Sequence, residues 1–214
     1  MAGALSDTSI RNLSGTWVMN KTLSTDLDAV FKLQGVRWVT RKTIAASSAT
    51  LRISQGLETD SNGLSTAPAE WMVLEPALAG GFKGVPEKRS LTWTEIEHND
   101  TLFGRAIILS HYIDGEKISG GRVRPLVELQ SKNIGVDATS MLTEAVTMAQ
   151  EVEAGAETVE KAFMHDFVRS VDGGWTAEQI WAVEVMNGEK LLTRKVVVLK
   201  GSSIESAQVF YKLK

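Results

Sequence analysis

The apolar positions of this chain follow two different periods, and the places where the period changes mark its elements. Residues 13–20 (LSGTWVMN) read as a strand, rich in Trp, Val and Thr and of strand length. Gly15 allows a bend or a close backbone approach within it. In STDLDAVFKLQGVRWVTRKTIAAS the apolar residues Leu27, Val30, Phe31 and Val39 fall at helical spacing. Ser24 or Thr25 can cap the start, and Asp26 and Asp28 sit where the helix dipole favours a negative charge. Gly35 interrupts this run, so the spacing predicts two short helices, the second over about 36–45.

From residue 49 the period becomes two. ATLRIS alternates, SQGLETDSNGLSTAP carries the turn pair Asn62-Gly63, and AEWMVLEPAL reads as a further strand. The stretch from Gly80 to Gly115 reads as two strands joined at His98-Asn99-Asp100, the second ending at Asp114-Gly115. Over 137–154 the period returns to helical: Met141, Leu142, Ala145, Met148 and Ala149 share one face, and Gly155 follows. EKAFMHDFVRSVDGGW is extended again. The end of the chain is three strands, turned at Asn187-Gly188 and at Lys200-Gly201-Ser202. Tight turns between successive strands imply antiparallel neighbours, and no sustained strand–helix–strand alternation supports a parallel sheet. The fold class expected is mainly β, a barrel or sandwich in one domain spanning 1–214, with a flexible terminus over 1–11 and one inserted helix over 137–154.

Composition narrows the function. A hydrophobic fraction of 43% supplies a sizeable core. Net charge is −3, and the densest basic spots are the dipeptides Arg41-Lys42 and Arg194-Lys195, which gives no electrostatic reason to expect a nucleic acid or an anionic membrane as partner. There is no cysteine, so thiolate catalysis, thiolate metal sites and disulfides are excluded. No run approaches the roughly 20 apolar residues that span a bilayer, and MAGALSDTSI has no basic, then apolar, secretory pattern. A cytoplasmic location is expected. The three histidines, His98, His111 and His165, have no metal-binding spacing, and GGFKG (80–84) lacks the phosphate-loop pattern and a following helix. No metal and no cofactor is expected.

A Gly-x-Trp strand followed by two short helices and then β-hairpins to the end resembles the calycin superfamily. The closer likeness is to intracellular fatty-acid-binding proteins, and it lies in LSGTWVMNKTLSTDLDAVFKLQGVRWVTRKTIAASSATLRIS, residues 13–54. Leu33-Gln34-Gly35-Val36-Arg37-Trp38-Val39-Thr40-Arg41-Lys42 matches that family's Leu-Gly-Val-x-aromatic-x-Thr-Arg-Lys segment with one extra residue. The pattern is also similar to that of small fungal lipocalin-like proteins of secondary metabolism. The resemblance implies an up-and-down antiparallel barrel of about eight to ten strands, with a cavity and helices at its entrance. It covers the first quarter of the chain well, the last 40 residues plausibly and the middle poorly. The family's Arg-x-Tyr on the last strand, which holds a carboxylate, falls by position on Gln208-Val209-Phe210. A bidentate cation is thereby replaced by a neutral amide, and a phenol by a phenyl.

The remaining candidates come from strand alternation, because a buried polar side chain needs a partner and a ligand can be that partner. Trp181 shares a face with Gln179 and Val183, opposite Glu178 and Glu184, and is expected to point inward. His165 shares a face with Phe163 and Phe167 and suits general acid or base work, but Met164 and Val168 are an equally good inner face. One of His111 and Tyr112 faces inward. Arg194, flanked on its face by Leu192 and Val196, can replace the lost carboxylate anchor. Trp38 beside the entrance and Trp93 on a strand can line a ligand. Gln208, Tyr112 and His165 are the candidates for polarising a carbonyl.

Three functions fit. The first is a cofactor-free enzyme that folds a terpenoid or polyketide into one conformer for a cyclisation, isomerisation or pericyclic, Diels–Alder-type step. The second is a carrier that shields the same kind of hydrophobic molecule. The third is a filled barrel whose inserted helix is an interaction surface.

Overall fold

The computed structural model describes residues 8–58, 68–79, 83–150, 152–153 and 155–214. The turn pair Asn62-Gly63 and most of GGFKG lie outside them. Among the described residues, ten strands follow one another in a single antiparallel sheet, and an eleventh, short one pairs at its side. In chain order they are β1 (Gly15–Met19), β2 (Ala49–Glu58), β3 (Ala69–Leu78), β4 (Glu87–Ser90), β5 (Ile96–Asp100), β6 (Gly104–Lys117), β7 (Val123–Pro125), β8 (Thr158–Ser170), β9 (Thr176–Met186), β10 (Glu189–Lys200) and β11 (Ser203–Leu213). The order across the sheet is β4-β3-β2-β1-β11-β10-β9-β8-β6-β5, with β7 on β6. The sheet curls: a bridge between Thr92 and His111, with Trp93 N–H donating to the Ser110 carbonyl at 2.9 Å, ties the chain after β4 to β6. The fold is mainly β, an up-and-down antiparallel sheet curled into a barrel.

The helix pair precedes β2 as expected, α1 over Asp28–Leu33 and α2 over Trp38–Ala46. Gly15 answers to a close approach, because a Cβ there would meet Leu213 Cδ1 at 2.8 Å across the β1–β11 pair. The stretch from residue 8 is packed rather than loose: Ile10 and Leu13 are buried, the Ile10 carbonyl accepts from Gln55 Nε2 at 3.0 Å, and the Leu13 carbonyl accepts from Trp17 Nε1 at 2.8 Å. Ile10, Leu13, Trp17, Ile53, Met72 and Met164 belong to one cluster that fills one end of the barrel.

Three boundaries differ from the sequence expectation. His98-Asn99-Asp100 is strand, and the turn falls after it, where Asp100 Oδ1 accepts the N–H groups of Leu102 (2.6 Å) and Phe103 (3.1 Å). Asp114-Gly115 does not end β6; the strand passes through an irregularity there and continues to Lys117. The inserted helix is shorter, α3 over Val136–Leu142. Beyond it the backbone is extended, because Val146 exchanges hydrogen bonds with Val123 (2.8 and 2.9 Å) and the 147–149 stretch pairs with Val183 and Val185. Those pairings outcompete the helical period of Ala145, Met148 and Ala149.

The insert between β6 and β8 therefore lies flat on the outside of the barrel. Val123, Ile134, Ala138, Leu142, Val146 and Met148 pack against the outer faces of β8, β9 and β10 and form a second core. Gly115 makes room for it: a Cβ there would stand 2.3 Å from Val123 Cγ1 and 2.9 Å from Phe163 Cε2. Gly115→Ala is expected to lower the unfolding free energy by about 1–3 kcal/mol by overpacking. A denaturant titration reads this as a lower midpoint, and an unchanged midpoint would contradict the packing described.

Candidate functional site

A cavity of about 550 Å³ occupies the barrel half beneath the helix pair. Leu27, Val30 and Phe31 roof it, and Ile108, Val168 and Val196 form apolar wall. One group of its polar side chains, Glu87, Arg89, Gln179, Arg194 and Tyr211, is carried by the strands β4, β9, β10 and β11. They come from alternate residues of neighbouring strands, so the pleat aims them at one layer.

Two arginines dominate that layer, and their surroundings differ. Arg89, on β4, is only 2% exposed and donates to Asp166 and to Glu87. Burial works against its charge, but the two carboxylates outweigh that and hold it protonated. Asp166 Oδ2 also accepts the indole N–H of Trp181 at 2.6 Å, while its Oδ1 is buried without a partner among the described residues. Arg194, on β10, lines the cavity, with its guanidinium 4.7 Å from the centroid of the Trp181 ring. Its Nε donates to Gln179 Oε1 at 2.6 Å. Among the described residues no carboxylate lies within ion-pairing distance of Arg194.

Gln179 spends its carbonyl on Arg194, which leaves its amide N–H groups as donors. Tyr211, on β11, also lines the cavity. Burial pushes its phenol pKa up, and the nearby Arg194 guanidinium opposes that shift. Arg194, Gln179 and Tyr211 thus present mainly donors, on an apolar wall, to whatever enters.

Of the nine residues singled out from the sequence, Arg194 is the one that lines this cavity. Trp181 points inward but is fully buried below it. Tyr112 is the inward member of its pair, half-buried against the filled end, where its hydroxyl accepts from Gln55 Nε2 at 3.0 Å. Gln208 and Phe210 do not face the cavity. The inward residues of β11 are Ala207, Val209 and Tyr211, so the positional match to Arg-x-Tyr is off by one. Gln208 and Phe210 instead engage the crossing chain, through Thr25 and through Asn20 and Ser24. Trp38 is 62% exposed on α2. Trp93, His111 and His165 sit together on the outer wall.

Tyr211, Glu87 and Arg89 escaped the sequence reading. Tyr211 lay one step from the inspected positions, and Glu87-Lys88-Arg89-Ser90 has the composition of a solvated strand.

No protein-family model matches this chain, and no curated protein matches its sequence. Solved structures do resemble it in shape. The fluorescent protein UnaG wild type aligns over 94% of this chain and 97% of its own at 14% identity and a TM-score of 0.48. As-p18, an extracellular fatty acid binding protein, aligns over 94% and 95% at 12% identity and 0.46. The REP1-NXSQ fatty acid transporter aligns over 94% and 96% at 12% identity and 0.45. At such identity the likeness is one of fold alone.

The chain has two tyrosines, Tyr211 buried and Tyr112 half-buried, which makes their surroundings testable by titration. Burial first, and then the Glu70 carboxylate, push Tyr112 up to about 12, and Tyr211 is also raised. A raised phenol contributes stability that is present below its unfolded pKa of about 10 and is lost as pH rises through its native pKa. At a pH of about 11 the folded protein is expected to show little phenolate absorbance, and the chain in denaturant to show most of it. Phenolate from one full tyrosine in the folded protein would contradict this burial.

Proposed function

We propose that this barrel binds a hydrophobic small molecule bearing a carboxylate or another planar, acceptor-rich head, such as an enolised dicarbonyl. The observation that carries the reading is Arg194: a cation without a carboxylate partner among the described residues, on the wall of an apolar cavity. A guanidinium in poor contact with water favours an anionic or strongly accepting partner, and a planar head matches its fork of donors. The volume suits a ligand of lipid or polycyclic size. The apolar roof of α1 would cover the body of the ligand, with the head at Arg194, Gln179 and Tyr211.

Binding and release alone make a carrier. One observation favours turnover as a second reading: Arg194, Gln179 and Tyr211 bring donors together on one part of the cavity wall, as suits polarising a bound carbonyl. A cyclisation, isomerisation or pericyclic step on a terpenoid or polyketide would then rest on Arg194, Gln179 and Tyr211. It would not rest on Gln208, His165 or Tyr112, which do not line the cavity. Among the described residues no helix is long and apolar enough to cross a membrane.

Palmitic acid and its methyl ester separate the head from the body. The acid is expected to bind more tightly than the ester by about tenfold or more, as a charge-assisted hydrogen bond is worth about 1.5–3 kcal/mol. Arg194→Met is expected to remove most of that difference and leave ester binding in place. Calorimetry or tryptophan fluorescence measures both. Equal binding of acid and ester by the unaltered protein would overturn the assignment of the head-group site.

A further inference from the structure

The outer wall of the barrel holds a linear chain of three hydrogen-bonding side chains that the cavity does not use. Glu178, on β9, is fully buried beneath the insert. Its Oε1 accepts from His165 Nε2 at 2.7 Å and from the Gln130 N–H at 2.8 Å, and its Oε2 accepts the Ser131 N–H at 2.6 Å. Burial alone would raise its pKa, but these donors outweigh burial and hold it below the usual carboxylate value. Glu178 is therefore ionised at neutral pH.

That charge sets the protons of both imidazoles. An ionised Glu178 accepts only, so His165 carries a proton on Nε2, and in its neutral form it turns a lone pair outward on Nδ1. His165 Nδ1 stands 3.2 Å from His111 Nε2, across the β6–β8 ladder where the two histidines are direct partners. His111 Nε2 must then be the donor, which leaves the lone pair of His111 on Nδ1. Among the described residues Nδ1 has no hydrogen-bond partner, and it is not among the polar atoms buried without one, so it reaches solvent. Trp93 packs against both rings, its ring centroid 4.2 Å from that of His111 and 4.9 Å from that of His165. Trp93 holds a positive φ of 58° in doing so, backbone strain of the kind that collects at functional positions.

We propose that Glu178, His165 and His111 form a second reactive site, in which His111 Nδ1 is a nucleophile toward small activated acyl esters. Nδ1 attacks the acyl carbon, and the bond from that carbon to the ester oxygen breaks. The leaving oxygen departs with its electron pair and takes a proton from water. As Nδ1 becomes acylated, His111 Nε2–H passes to His165 Nδ1, and the resulting His165 imidazolium is held by the Glu178 carboxylate. Water then adds to the acyl carbon and releases the acid, while His165 returns its proton to His111 Nε2. His111 is the catalytic residue here, and His165 and Glu178 are positioning residues. Burial is the first cause that lowers the His111 pKa and favours an unprotonated Nδ1, and a positive charge on His165, present only once His165 has taken up a second proton, lowers it further.

p-Nitrophenyl acetate is the probe. The full-length protein is expected to hydrolyse it about 100-fold faster than free imidazole at equal concentration. Peptide mass spectrometry after an acid quench is expected to place the transient acetyl group on His111. His111→Asn is expected to remove the excess rate while thermal unfolding shows a folded chain. Glu178→Gln is expected to lower the rate by about tenfold or more and to move the His165 ring nitrogens, by 15N NMR, away from the single Nε2–H tautomer, which a purely structural role for Glu178 would not do. A rate no greater than that of imidazole, or an acetyl group found only on lysines or His98, would overturn the proposal without using any variant.

Discussion

The buried pair of Arg89 and Asp166 is the interaction on which the interior depends. Two full charges inside a barrel are tolerable only when each is matched and hydrogen-bonded. Here β4 supplies the cation, β8 the anion, and Trp181 on β9 a third contact through its indole N–H. β4 is thereby tied to β8 and β9, far from it in sequence, at one level of the barrel. Removing either partner of such a pair leaves an uncompensated buried charge, at a cost of about 3–5 kcal/mol. The level of this pair also divides the interior. On one side Trp17, Ile53 and Met72 pack solidly; on the other the cavity opens beneath α1 and α2. Arg194 sits at the boundary, over the same indole but without the carboxylate that Arg89 has. A guanidinium paired with carboxylates and one without a carboxylate partner among the described residues thus share the Trp181 ring.

The outer wall follows the same physics with a different outcome. The insert between β6 and β8 covers β8, β9 and β10, so their outward residues are buried as well as their inward ones. Polar residues caught beneath it must find partners. Lys195 pairs with Glu144 at 3.0 Å, Thr193 donates to Glu184, and Glu178 takes two backbone N–H groups of the insert along with His165. The insert is held by these contacts as much as by its apolar face. The His165–Glu178 pair is both a clasp for the insert and the inner end of the chain that reaches His111.

Much of the fold was legible in the sequence, for definite reasons. The last three strands combine period-two alternation with short polar turns, and no helical face competes. The helix pair announces itself by the spacing of Leu27, Val30 and Phe31 and by Gly35. The 137–154 stretch misled because half of it is shaped by partners remote in sequence, Val123 and β9, which local periodicity does not register. The site was less legible. A one-residue shift on β11 exchanges Gln208 and Phe210 for Val209 and Tyr211, since side chains of a strand point to alternate faces. Arg194 could be singled out because its face neighbours are apolar. Arg89 and Asp166 could not, because a buried charge whose partner lies 77 residues away looks, in sequence, like a solvent-facing one. His111 and His165 were marked as reactive types, but only the β6–β8 register sets them face to face.

The most direct test of the division of the barrel is an NMR titration with a fatty acid, read at assigned backbone and side-chain positions. Shifts concentrated at Arg194, Gln179, Ala177 and Val196, with Trp17, Ile53 and Met72 unmoved, are the expected result. Shifts centred on Trp17, Ile53 and Met72, or no saturable shift at Arg194, would contradict a cavity that ends at the layer of Arg89, Asp166 and Arg194.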